Sequence, residues 1–539
     1  MSEEETAIVY NSATMDQPTQ SLSPLSEHLV TSIQKKETVT SERKITVNPF
    51  VSKVASWYEK LRNAMEYRED EVILRSTIER ILKRRLLLGG NAKTTAEPLV
   101  RELIWARYLP DNGVPVSAVT RVEEAIDLFL TIRLQVLQNR KLSDGTLNEW
   151  TYHLLSSELA TILSPNKQED LLASYMYQLL RGNVTIVDES EQTRDAQVYI
   201  AVRKAFAHDD LAFLRYHMFL QIFGEITEKK LERIIADFPK ARREIERQLN
   251  FPSREKIFAF VKRNTPPFLI LADIFRRYNG KITELLKDQQ AFEKEVYQTC
   301  SNKYHGTAAK VQRAIIRSVL FILFSKLIFA FLVEGTYERI FYHRIIWTSI
   351  AVNTGIPPLM MIVVSLFIQT PGSDNTKRIY AYIKSILYED KPNLWNPIVV
   401  RKKRVVKPSI QRSVFTILWL LAFLLTFGGI IYILTLLHFN IISQGVFIFF
   451  LAIVSFLSYR ISLTAHIYRL GDTQGLLTPF IDFLFLPIVQ VGRRLTQGIS
   501  QINILIFVFD LFIETPFKVV FAFFEQWFYF LHPKREELE

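Results

Sequence analysis

The sequence predicts an all-α protein in two parts: a soluble multi-helix cytoplasmic domain, then a four-span α-helical membrane domain with C-terminal amphipathic helices. Three observations carry that expectation. Charge thins abruptly along the 539 residues: 87 of the first 313 are Asp, Glu, Lys or Arg, against 34 of the last 226, and those 226 also hold 26 of the 39 phenylalanines. Four mainly apolar runs lie in this second part, and a helix needs about 20 such residues to cross a bilayer. The first part spaces its apolar residues three and four apart, the helical period.

Residues 1–48 are rich in Ser, Thr, Glu and Gln and read as a disordered tail. Ser2-Glu-Glu-Glu5 offers neither the basic start and apolar core of a secretory signal nor the acid-poor character of a mitochondrial one, so the large N-terminal domain is expected inside the cell.

Residues 49–313 are expected to form about nine to twelve helices. Val54, Trp57, Tyr58, Leu61 and Met65 share a face, as do Ile73, Ile78, Ile81, Leu82 and Leu86. Val122, Ala125, Ile126, Phe129, Leu130, Leu134 and Leu137 make a third stripe. Thr95, Ser117 and Thr227 mark helix starts, and Gly89-Gly90, Gly182, Gly224 and Gly280 mark stops. Asn183–Val187 is the best strand. The segment 227–263 mixes Lys229, Arg233, Lys240, Arg243 and Arg247 with Glu228, Glu232 and Glu244. That pattern suits a solvated helix face laced with ion pairs, or a docking face for a partner.

The expected spans are 314–333, 347–368, 414–437 and 441–459. The first contains Arg317 and Lys326; the second contains Asn353, Gly355 and Pro357-Pro358 and should kink or unwind there. Tyr337, Tyr342, Trp347 and Tyr459 stand at span edges, where interfacial aromatics belong. The connection 370–413 carries ten basic residues against three acids. Positive charge concentrates on the cytoplasmic side, which places this loop and both termini in the cytoplasm of a bacterial inner membrane. Within it, 397–408 reads as a hairpin with a basic tip. Arg401, Lys402, Lys403, Arg404 and Lys407 are candidate contacts to anionic headgroups, worth about 1 kcal/mol each, or charges that only set topology. Exposed aromatics do not interleave with them, so nucleic acid is not expected as a partner.

In 476–531, Asn503, Asp510, Glu514, Lys518 and Glu525 fall on one helical face, with Asp482, Gln490, Arg493 and Gln497 forming a similar stripe before them. Such helices lie in the membrane interface, line a polar cavity among the spans, or pack on the cytoplasmic domain. Residues 532–539 form a charged tail.

Lys326 is the charge that stands out. A lysine in mid-span faces protein or water. Lys326, Asp482, Asp510, Glu514 and Lys518 make up a candidate intramembrane polar site, with the three acids as partners. It is either a buried structural pair or an ion relay. Leu88-Gly-Gly-Asn-Ala-Lys-Thr94 resembles a phosphate loop only superficially, since Leu87 and Ala92 stand where glycines belong; a helix C-cap suits it better. His208-Asp209-Asp210 suits helix capping better than metal binding. Cys300 is the one cysteine, so no internal disulfide forms. No catalytic, cofactor-binding or metal residue is assigned, and no cofactor is expected.

The chain therefore reads as a non-enzymatic membrane protein presenting a helical docking or scaffold domain to a cytoplasmic protein partner. One alternative is a transporter or channel subunit, homo-oligomeric, using Lys326 and the acidic stripe. Another is a membrane-surface lipid or envelope enzyme using the basic loop.

Overall fold

Ser23 followed by Pro24 is a helix start: serine supplies an oxygen for capping, and proline suits the first turn. In the computed structural model, helix α1 (Pro24–Gln34) begins there. The structure describes residues 21–34, 42–49, 52–53, 55–56, 70–87, 89–139, 143–341, 343, 347–390, 392, 395–401, 410–437, 439–471, 485–495, 523 and 527. Leu29 and Val30 of α1 are buried, and Ser26 Oγ bonds Tyr175 Oη at 2.8 Å. Residues 42–48 are a packed strap: Ile45 and Val47 are buried, Ile45 N donates to Val114 O and Val116 N donates to Arg43 O. Both segments correct the expectation of a tail over 1–48. A few apolar residues are enough to order a polar stretch once a neighbouring surface takes them. Residues 1–20, 35–41 and the stripe residues Val54, Trp57, Tyr58, Leu61 and Met65 lie outside the described residues.

The helices that follow are α2 (Asp70–Leu87), α3 (Ala92–Trp105), α4 (Val116–Gln138), α5 (Asp144–Leu163) and α6 (Lys167–Leu180). Strand β1 (Val184–Val187) then leads to α7 (Glu191–Phe206), α8 (Leu211–Phe223), α9 (Leu231–Leu249), α10 (Arg254–Asn264), α11 (Pro266–Tyr278) and α12 (Ile282–Lys287). Gly89 and Gly224 end α2 and α8 with φ of +83° and +70°, left-handed values that glycine adopts without strain. Helix α3 starts ahead of Thr95, because Asn91 caps it: Thr94 N donates to Asn91 Oδ1 at 2.9 Å and Asn91 N donates to Thr94 Oγ1 at 3.0 Å.

Helix α13 (Gln289–Phe329, 41 residues) passes through a π-helical segment (Ala330–Gly335) into α14 (Thr336–Phe341). After it come α15 (Trp347–Ser365), α16 (Ser373–Tyr388), β2 (Ile398–Arg401), α17 (Ile410–Leu436) and α18 (Ile441–Ala465). Residues 485–495 are also helical. The described residues are almost entirely helical, and three helical stretches among them are long and apolar enough to cross a membrane: Gln289–Phe341, Ser413–Leu436 and Ile441–Ala465. The expected span 347–368 is α15, whose apolar stretch Asn353–Ser365 is shorter than the other three. It is helical through Pro357 and Pro358 rather than unwound, as membrane helices allow where packed neighbours support the backbone.

The helical domain has two cores. The first gathers α2 to α5, α8 and α9 around Ile78, Leu82, Val122, Ile126, Trp150 and Phe238. The α4 stripe points into it through Val122, Ala125, Ile126 and Phe129, while Leu134 is exposed. The second core is assembled from distant parts of the chain: α1, α6, β1, α7, α10, α11, the first half of α13, and α16 with β2. Ile379, Ile383, Ile386, Leu387 and Val400 are fully buried there. β2 pairs in parallel with β1, Val184 opposite Ile398 through Val187 opposite Arg401.

This arrangement corrects the expectation of a basic loop over 370–413, since α16 and β2 are packed elements; most of the expected hairpin at 397–408 lies outside the described residues. Ile379, Ile383 and Ile386 form one apolar helical face, and the edge of β1 supplies hydrogen-bonding partners to Ile398–Arg401. Lys377 and Arg378 stay on the exposed side. Residues 402–409 lie outside the described residues.

Candidate functional site

Helix α13 with its π segment, α15 and α18 pack on one another pairwise. Where they meet, four polar residues are fully buried: Lys326, Glu334, Asn353 and Ser443. Lys326 Nζ donates to Glu334 Oε1 at 2.6 Å. Asn353 Nδ2 donates to Glu334 Oε2 at 2.5 Å, and Ser443 Oγ donates to the same oxygen at 3.4 Å. Lys326 Nζ also sits 5.2 Å from the centre of the Phe450 ring, within cation–π range. Ser443 is placed by the start of α18, where Asn440 Oδ1 caps its backbone N–H at 2.7 Å.

The π segment explains how Lys326 and Glu334 meet. In a regular α-helix a spacing of eight residues leaves two side chains about 80° apart. A π turn absorbs one extra residue, which brings them to within about 20° of one face. The carboxylate then neutralises the ammonium inside one helix, and Asn353 and Ser443 tie that carboxylate to α15 and α18. Chemically the cluster is a three-helix clamp. Two buried oxygens beside it, Asn353 Oδ1 and Thr354 Oγ1, have no hydrogen-bond partner among the described residues.

Of the residues expected to share this site, only Lys326 is placed. Asp482, Asp510, Glu514 and Lys518 lie outside the described residues. The partner is Glu334, which falls just past the expected span 314–333 rather than within it. The available signal was that Glu334 is the first acid after the apolar run and lies on Lys326's own helix. Of the basic cluster, Arg401 is exposed at the end of β2, where its carbonyl accepts from Ser253 Oγ at 3.0 Å. Lys402, Lys403, Arg404 and Lys407 lie outside the described residues. Helical residues 485–495 place Ile488 in contact with α18, and a Cβ on Gly492 would overlap the Ala452 carbonyl.

The helical domain holds charge clusters of its own. Arg203 pairs with Asp209 (2.7 Å) and Asp170 (2.5 Å). Burial pushes the Asp209 carboxyl up to about 6 although Arg203 opposes the rise. Asp210 caps α8, accepting from Phe213 N at 3.0 Å. Asp209 and Asp210 are thus committed to a guanidinium and a helix end, and no group of three or more metal-ligating side chains occurs among the described residues. Cys300 is buried in the second core.

Compared with protein-family models, with curated proteins and with solved structures, the chain matches none.

Proposed function

We propose that this chain is a multi-pass protein of a cytoplasmic membrane that holds a helical docking module rigidly at the inner face. The observation that carries the reading is the second core. It joins the first half of α13, then α16 and β2, then Leu470 beyond α18, three parts of the chain separated by the membrane-length helices. Two paired excursions fit between them: out through α13 and back through α15, then out through α17 and back through α18. At 1.5 Å per residue the 19 residues of α15 reach about 28 Å, close to the ~30 Å hydrocarbon thickness. Exposed Phe321, Phe324, Phe331, Phe415, Leu420 and Leu424 need an apolar surrounding along these helices. The Lys/Arg excess in 370–413 puts the shared side in the cytoplasm.

The docking role follows from α9. Ile234, Phe238, Ala241 and Ile245 are buried, while Arg233, Lys240 and Arg243 stand on the exposed side. Exposed Glu232, Asp237 and Glu244 alternate with them, so that face suits a partner protein presenting charges of both signs. The test uses the full-length protein, since the domain's second core needs α16 and β2. Arg233→Glu, Lys240→Glu and Arg243→Glu together should abolish cross-linking to the partners that the wild-type protein captures in cells, with melting unchanged. The same partners captured by both proteins would overturn the docking role.

Ion passage is the second reading, favoured by Asn353 Oδ1 and Thr354 Oγ1 beside the Lys326 pair. In that case Lys326→Met abolishes an ion flux measured in proteoliposomes while folded protein persists; intact flux rejects it.

A further inference from the structure

The outer face of α13 changes character within one helical turn. Lys310, Arg313 and Arg317 are exposed, and at 100° per residue they fall within about 60° of one another. Phe321, Phe324 and Ile328 continue the same face, exposed by 60%, 61% and 57%, and all six residues lie within about 80°. Lys303, earlier on this face, is held by Asp273 at 2.7 Å. Among the described residues none of the next three cations pairs with a carboxylate; Arg313 Nε donates to Ala309 O of its own helix at 3.1 Å.

Packing on the other side of the helix sets the level of that change. Tyr304 is buried in the second core. Val311, about two turns on, is buried in the apolar cluster that holds Met361 of α15 with Ile461 and Ala465 of α18. Ile322 belongs to the same cluster. The three cations therefore stand beside the point where α13 leaves the second core and enters the bundle of long apolar helices. From Arg317 to Ile328 the helix rises about 16 Å, close to the ~15 Å hydrocarbon depth of one leaflet.

Cations above exposed rings on one continuous face complement a molecule that carries an anion at one end and hydrocarbon at the other. We propose that this face of α13 binds an anionic phospholipid, its phosphate held by Lys310, Arg313 and Arg317 and an acyl chain lying over Phe321, Phe324 and Ile328. A guanidinium presents paired N–H donors that match phosphate oxygens. A zwitterionic lipid brings a cation of its own, which the three basic side chains oppose. The site rests on the membrane reading above and adds a headgroup preference at a named place on the helix.

The test uses the full-length protein in neutral detergent, titrated separately with dioctanoyl phosphatidylglycerol and dioctanoyl phosphatidylcholine, with melting temperature as readout. The two lipids carry the same chains, so a preference reads the headgroup. Phosphatidylglycerol should raise Tm saturably and bind about tenfold or more tightly than phosphatidylcholine. Lys310→Gln, Arg313→Gln and Arg317→Gln together should erase that preference. Arg317→Gln alone should weaken phosphatidylglycerol about fivefold, and it carries the test if the triple variant does not fold. Equal affinity for the two lipids, or an undiminished preference in the variants that fold, overturns the proposal. Disulfide cross-linking of Phe324→Cys between two molecules would make a second copy the occupant and also overturn it. An alkaline wash of cell membranes tests the membrane reading separately: wild type and triple variant should both stay in the pellet, and release of the wild type would overturn that reading and the lipid site with it.

Discussion

Arg75, Glu79, Lys83, His153 and Arg215 in the N-terminal helices, and Lys326 with Glu334 among the long apolar helices, are both groups of ionisable side chains drawn away from water. In the first group every member has several partners. Glu79 accepts from Arg75 and Lys83, each at 2.5 Å. Arg75 also reaches Asp210 at 2.6 Å, and Arg215 reaches Glu149 at 2.7 Å and Glu246 at 2.6 Å. The edge of this network is wet: the Lys83 side chain is 45% exposed. In the second group one ammonium meets one carboxylate, and both are fully buried. A network with spare partners and a water edge degrades by degrees. The dry pair has no second charge to turn to, so losing either half leaves the other's charge unneutralised. The comparison separates redundancy from burial as the source of an ion pair's importance.

The dry pair should give the largest effect. Glu334→Ala leaves a buried, unpaired lysine and should cost about 3–5 kcal/mol, read as a fall in melting temperature in detergent. The Lys326→Met, Glu334→Leu double variant should recover most of that loss. A double variant as unstable as the single one would show that the two residues do not act as a unit.

The wet network should answer to acid. Burial pushes the Glu79 carboxyl up, but hydrogen bonds and charge from Lys83 and Arg75 outweigh it and hold it down at about 2, against its ordinary 4.5. A depressed carboxyl contributes stability that is present above pH 4.5 and is lost as pH falls through about 2. The contribution is on the order of 3 kcal/mol. Glu79→Gln should therefore flatten the dependence of melting temperature on pH across that window, whereas an unchanged slope would remove Glu79 from the account.

A smaller loss is expected where no charge is involved. Gly492→Leu puts a side chain into the Ala452 carbonyl and should cost about 1–3 kcal/mol as residues 485–495 shift off α18. The smallest effect belongs to the exposed rim: Lys83→Ala should cost about 0.2–1 kcal/mol. A larger loss there would mean that the wet network is as brittle as the dry pair.

How much the sequence disclosed depended on how many signals agreed. Ser413–Leu436 and Ile441–Ala465 were legible because length, hydropathy and absence of charge all pointed the same way. Gly89 and Gly224 announced their helix ends because few other residues take a positive φ cheaply. Segment 370–413 was misread because its exposed lysines and arginines dominate the composition, while Ile379, Ile383 and Ile386 carry the helical face beneath them. Its packing partners lie between 71 and 360 residues upstream, beyond any local pattern. Helix α1 is hard to read although Ser23-Pro24 marks its start, because polar composition outweighs Leu25, Leu29, Val30 and Ile33. Lys326 is buried and paired with Glu334, a partner hard to read locally because a spacing of eight becomes a same-face contact only through the π segment.

The unbroken run from Gln289 to Phe341 has a mechanical meaning. Its 53 residues form a rod about 80 Å long, one end clamped in the second core and the other in the Lys326 cluster. A rod without a flexible joint transmits torque. Rotation of the second core about the rod's axis therefore also turns Glu334 against Asn353 and Ser443.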